Sequence, residues 1–235
     1  MRVTGADGCR GGWLAVTWEA DGKARLAVHA TFAALIEATA DSAVLAVDIP
    51  IGLLDAAEPG GRACDREARV RLGAGRGSCV FAPPVRSVLA AADYPQALRI
   101  NRGSSPAAPG LSKQCWNIVA RIREADATLT PAMQARVAEV HPEVSFVALA
   151  GRDALPPKKS GEGQRLRMRL LRAAGFPVAA LLGSVARAAA LPDDVLDACA
   201  AAWSARRIAA GEAWVLPSEG PPPRDSRGLE MAIRA

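Results

Sequence analysis

Val44-Leu45-Ala46-Val47-Asp48-Ile49-Pro50 is a near-continuous apolar run interrupted by one carboxylate. Such a run, rich in β-branched residues, reads as a strand buried on both faces of a sheet, with Asp48 closing it. Upstream, Val3 to Asp7 reads as a short first strand that also ends in an acid. The paired glycines of Cys9-Arg10-Gly11-Gly12 predict a turn. Trp13 to Glu19 then alternates as a second strand, Asp21-Gly22 is a hairpin signal, and Arg25 to Ala30 supplies the returning strand. Thr31 caps a helix of about three turns, with Phe32, Leu35 and Ile36 on one face and Asp41-Ser42 at its end. Three antiparallel strands, a helix and a buried strand, in that order, make an α/β protein with a mixed sheet.

Downstream, residues from about 54 to 135 are irregular and read as a large insertion over one end of the sheet, with helical pieces at Asp65–Leu72 and Lys113–Ala127. Val137 to His141 is a further short strand, followed by a helix that starts at Pro142. The basic loop Lys158-Lys159-Ser160-Gly161 leads into a helix over Glu162–Ala174, with Arg165, Arg169 and Arg172 on one face. Pro192-Asp193-Asp194 opens the last long helix, Val195–Ala210, with Asp193 the simplest N-cap and Gly211 the stop. Pro221-Pro222-Pro223 stiffens a C-terminal strap of about residues 212–235. The whole, 1–235, is expected to be one domain.

Half of the 235 residues are hydrophobic and 23% are charged, which excludes general disorder. The net charge of +5 and pI near 9.3 suit a polyanionic partner without naming one. Aromatics are only 4% of the chain, so recognition of single strands by base stacking has little support. Five scattered cysteines form no C-x-x-C pair, and with only two histidines a zinc site is not expected; free thiols are. The N-terminus lacks a signal-peptide pattern and no apolar run is long enough to span a bilayer, so a cytoplasmic protein is the expectation.

Acids placed at strand ends carry the chemistry. Asp7 and Asp48 each close a strand, where a sheet presents side chains to a crevice. Asp194 and Asp197 share one face of the last helix, and Glu139, His141 and Glu143 surround the end of the fifth strand. Each has a plainer role: Asp7 as a turn former before Gly8, Asp194 as a helix-dipole partner, His141 as a core histidine. Gathered carboxylates repel unless a cation neutralises them, and Mg²⁺ or Mn²⁺ prefers such oxygen ligands. Two such ions about 4 Å apart serve phosphodiester cleavage. Asp7, Asp48 and Asp197 are the metal candidates, with Asp194, Glu139 and Glu143 as further catalytic candidates.

Several motifs extend this reading. They are Asp7-Gly8-Cys9-Arg10-Gly11-Gly12-Trp13, Asp48-Ile49-Pro50-Ile51-Gly52-Leu53, and Arg62-x-Cys64-Asp65-x-x-Ala68-Arg69-x-x-Leu72-Gly73. Val80-Phe81-x-x-Pro84-x-Arg86, Gly110-Leu111-Ser112-x-Gln114, Glu139-Val140-His141-Pro142-Glu143 and Asp193-Asp194-Val195-Leu196-Asp197-Ala198 follow in order. The chain thereby resembles the domain-of-unknown-function 429 family, described as predicted nucleases with a ribonuclease-H-like fold. The resemblance implies a five-stranded sheet with the first three strands antiparallel. It also implies metal-binding acids on the first strand, the fourth strand and the final helix, the positions of Asp7, Asp48 and Asp194 or Asp197. Cys79 stands where the family often has Ser.

The function expected is a metal-dependent nuclease or phosphodiesterase. Arg10, Arg62, Arg69, Arg86, Lys158 and Lys159 are its candidate substrate-binding cations and nucleic acid its expected partner. The alternatives are an actin-like phosphotransferase or ATPase and a non-catalytic nucleic-acid-binding protein. The first would need a duplicated fold that 235 residues do not supply.

Overall fold

The computed structural model describes residues 1–73, 75–151, 155–186 and 189–235. β1 (Val3–Cys9), β2 (Gly12–Trp18) and β3 (Ala24–His29) form an antiparallel meander. β4 (Leu45–Val47) and β5 (Val137–Glu139) add in parallel to β1, giving the order β3-β2-β1-β4-β5. The strand expected over Val44–Pro50 is paired only over Leu45–Val47. Beyond Asp48 the chain leaves the sheet, because Pro50 has no N–H to continue a ladder and the Ile51–Leu53 backbone is bonded to side chains instead.

α1 (Phe32–Ala38) is capped by Thr31, whose Oγ1 accepts from the Ala34 N–H at 3.2 Å. It stops at Thr39, before the expected Asp41, with the Thr39 hydroxyl donating back to the Leu35 carbonyl at 2.8 Å. α2 (Ala63–Leu72), α3 (Tyr94–Gly103) and α4 (Lys113–Thr128) lie in the long β4–β5 connection. α5 (Pro142–Ala150), α6 (Gly161–Ala173), α7 (Val178–Ser184) and α8 (Pro192–Ala210) follow β5. α3 and α7 were not expected from sequence. β6 (Val215–Leu216) and β7 (Ile233–Arg234) pair in the C-terminal strap. A parallel bridge between Val140 and Arg234 ties that strap to the end of β5.

The two faces of the sheet are covered by different helices. On one, Val3 and Cys9 of β1 and Ala46 of β4 pack with α5, α6, α7 and α8. On the other, Ala6, Trp13, Ala15, Leu45 and Val47 pack with Phe32 and Leu35 of α1 and with Ile122 and Ala125 of α4. The segment from about 54 to 135 is therefore not wholly an addition beyond the sheet, since Ile122 and Ala125 of α4 join the core on one of its faces. Glu124 of α4 fastens that layer by accepting from Trp13 Nε1 at 3.0 Å and from the Phe32 N–H at 3.1 Å. Among the described residues no helix is long and apolar enough to cross a membrane. All five cysteines are free thiols.

α8 lies directly on β1, and small side chains make this possible. Its inner face is Ala198, Ala201, Ala202 and Ala205, all fully buried. A Cβ at Gly5 would run into the Ala202 amide nitrogen and the Ala198 carbonyl oxygen, which are backbone atoms and cannot move aside. Gly5→Ala should therefore destabilise the protein by about 3 kcal/mol or more. Gly103→Ala at the end of α3, where a Cβ meets nothing, should not. Urea unfolding of the two variants beside the parent checks this; equal midpoints would contradict the packing argument.

Candidate active site

Strand parity delivers the first two acids. Asp7 is in phase with Val3, Gly5 and Cys9 and so points to the α8 side. Asp48 is in phase with Ala46 on the same side. The ladder is still in register there, since the Asp48 N–H donates to the Ala6 carbonyl at 2.9 Å. The two acids therefore leave adjacent parallel strands side by side. Asp197 comes from the start of α8, one residue before the alanine that rests on Gly5. Glu139 pairs in register with Val47, which belongs to the opposite face.

Asp7, Asp48 and Asp197 line a cleft of about 510 Å³ that Glu139, His141, Glu143, Arg76, Arg121, Lys158 and Lys159 also border. Burial raises the Asp7 carboxyl well above its usual range, Asp48, Asp197 and Asp194 add repulsion, and Lys158 opposes them. Asp48 is pushed up to about 7, by burial first, against the pull of Lys158 and with a further push from Glu143. Asp197 rises to about 6 for the same leading reason, opposed by Lys158. The Lys158 ammonium, 2.9 Å from Asp197 Oδ2, opposes the rise at all three.

The two glutamates are differently placed. Glu139 accepts from both terminal nitrogens of Arg62, at 2.6 and 2.8 Å, and from the Ile51 N–H at 2.7 Å. Arg62, only 2% exposed, also bonds Asp65 and the Ile51 and Gly52 carbonyls. No N–H of Arg62 is left for a phosphate, so its expected substrate role gives way to holding the loop after Asp48. Asp225 of the strap supports that loop from the other side, accepting from the Leu53 N–H at 3.1 Å. Glu143 is likewise taken up by Arg167, through contacts of 2.8 to 3.2 Å, and by Arg76. Glu139 and Glu143 line the cleft as ion-paired groups, Glu139 sharing Arg62 with Asp65 and Glu143 held between two arginines.

Other sequence candidates fall outside it. Asp194 Oδ2 accepts from the Leu191 N–H at 2.8 Å, so Asp194 caps α8 and Leu191, not Asp193, is the N-cap residue. Arg10 is exposed on the β1–β2 turn away from the cleft lining. Arg69 donates to the Gly60 and Val80 carbonyls, and Arg86 pairs with Asp126 and Asp225. These two guanidiniums hold loops together, Arg69 through carbonyls and Arg86 through carboxylates bonded to its terminal nitrogens. Lys159 is exposed at the cleft lip, whereas Lys158 turns inward.

Arg121 and Arg76, which the motifs do not mark as cations of the site, and His141 also line the cleft. Arg121 of α4 crosses Gly8, where a Cβ would sit 2.6 Å from its Cδ, and donates to the Cys9 carbonyl. The Asp7-Gly8 pair was the available signal, since a glycine beside an acid makes room for such a crossing. Arg76 had no motif to mark it. His141 has one ring nitrogen 3.3 Å from the Cys79 carbonyl while Nδ1 is buried with no partner among the described residues, and burial lowers its pKa.

The donor set at the cleft floor fits a hard divalent cation, being carboxylate oxygens whose charges raise one another. Among the described residues, no three acidic, thiol or imidazole side chains converge into a ready cage for one ion. Asp197 is turned to Lys158 instead. A model of the family described as "Protein of unknown function (DUF429)" matches residues 5–221. Comparison with curated proteins and with solved structures returned no match.

Two outcomes follow from these charges. Arg62→Met strands the buried Asp65 and Glu139 carboxylates and should cost about 3–5 kcal/mol in urea unfolding; a loss under 1 kcal/mol would contradict the network. Asp48 and Asp197 hold protons in the fold at pH values where the unfolded chain, with carboxyls near 4, has released them. The folded state binds more protons between about pH 4 and 7, so metal-free stability falls as pH rises through that window. Asp48→Asn should show a smaller fall than the parent between pH 5 and pH 8 in chelator, and parallel curves would refute the assignment.

Proposed function

We propose that this chain, which belongs to the DUF429 family over residues 5–221, is a divalent-metal-dependent phosphodiesterase acting on nucleic acid. The observation that carries the reading is the meeting of Asp7, Asp48 and Asp197, from β1, β4 and α8, in one cleft. The sheet order and strand directions, with acids on the first strand, the fourth strand and the final helix, support a ribonuclease-H-like fold. The β4–β5 connection is then an elaboration of that fold apart from α4, which serves as one of its layers.

Asp7 and Asp48, side by side at the strand ends, would hold Mg²⁺ or Mn²⁺, with Asp197 completing the acidic floor. Such an ion supplies positive charge to the phosphoryl oxygens and acidifies water at neutral pH. Arg62, Glu139 and Asp225 keep the Asp48 loop in place, so the carboxylate is positioned before substrate arrives. Arg121 and Lys159 border the cleft as cations for the flanking phosphates, which position a nucleic acid without reading its sequence.

The test is cleavage of DNA and RNA by the parent and by Asp48→Asn with Mn²⁺, alongside thermal melts. Asn keeps the shape and removes the charge. We expect at least a 100-fold loss of cleavage, a metal-free melting temperature equal to or above that of the parent, and stabilisation by Mn²⁺ in the parent alone. A metal-free loss of stability in Asp48→Asn, or cleavage that survives it, would overturn the catalytic assignment.

A further inference from the structure

Lys158 sits on a turn that is built to hold it. Ser160 donates through both its N–H and its hydroxyl to the Pro157 carbonyl, at 2.9 and 2.8 Å. Arg167, buried in α6, donates to the Pro156 carbonyl at 3.0 Å while gripping Glu143. Gly163 lets α6 close on the turn, since a Cβ there would strike the Pro157 carbonyl. The anchored turn brings the ammonium to Asp197 at 2.9 Å, while 39% of the side chain stays open to solvent at the cleft mouth.

Charge balance gives this placement a consequence. Asp7, Asp48 and Asp197 carry three negative charges when ionised; Glu143 with Arg167 and Arg76 leaves one net positive charge, and Glu139 and Asp65 with Arg62 leave one net negative charge, so these two networks offset each other. Lys158 cancels one of the three, and a single divalent cation cancels the remaining two. A second divalent ion would leave the floor with an excess of two positive charges in a partly desolvated cleft, where like charges are costly. We propose that Lys158 is the built-in second cation of this site, so that the cleft takes one divalent ion and uses the ammonium where a two-metal site would use another.

The idea rests on the metal-dependent reading, and ion counting separates the two. Mn²⁺ binding is measured at pH 8 by electron paramagnetic resonance of free Mn²⁺ and by calorimetry. The proteins are the full-length parent, Lys158→Met, Lys158→Gln and Lys158→Arg, each checked for a cooperative melt. The parent and Lys158→Arg should bind one ion, and Lys158→Met and Lys158→Gln should bind two. Two ions in the parent would overturn the proposal while leaving the metal reading in place, and that measurement needs no variant to fold. One ion with unchanged affinity in both neutral variants would also overturn it. An absence of Mn²⁺ binding in the parent and all variants would remove the metal reading and this proposal with it.

Discussion

The contact of α8 with β1 at Gly5 is the constraint on which the rest of the structure depends. Helix and sheet backbones touch there because neither side offers more than a methyl group, so the helix has one depth and one phase over the strand. That phase delivers Asp197 to the strand-end side where Asp7 and Asp48 emerge. A larger side chain at Gly5, or at the Ala198, Ala201 and Ala202 positions that oppose it, would lift the helix and move Asp197 with it. Packing density and site geometry are thus one property, as expected where a close-packed interior transmits displacement.

Electrostatics then sorts the acids into two kinds. Glu139 and Asp65 share the buried Arg62, and Glu143 shares Arg167 and Arg76, so their charges are spent in holding loops. Removing Arg62 would leave two buried carboxylates without their cation. The three aspartates are treated otherwise. Burial first, and repulsion after it, keeps their protons on to unusually high pH, with Lys158 as the opposing charge. Free energy stored as uncompensated like charge is available to a ligand that brings positive charge, which is why this cleft, rather than the arginine networks, is the candidate site.

Much of this was legible in the chain. The Thr31 cap, the Asp21-Gly22 hairpin, Pro142 at a helix start and the apolar Leu45–Val47 strand each depend on local backbone chemistry. Sequence and structure part where a distant partner decides a side chain's role. Arg62, Arg69 and Arg86 look like solvent-facing cations in a motif, yet carbonyls and carboxylates from elsewhere in the fold take their donors. α4 looks like part of a surface addition because nothing in its own sequence says that Trp13 and Phe32 will meet it.

By itself, the sequence determined most of the strands and helices in order, though not α3 and α7, and which acids stand at element ends. These follow from periodicity, caps and turns, all of short range. The tertiary structure alone decided which acids share a cleft and which are neutralised. Asp194, three residues from Asp197, caps its own helix, and Lys158 turns inward from a loop that reads as basic surface. The physical reason is that an ionised group is assigned its role by whichever opposite charge or donor lies within a few ångströms of it. In a folded chain that neighbour comes from 39 residues away for Lys158 and Asp197, and from 77 for Arg62 and Glu139.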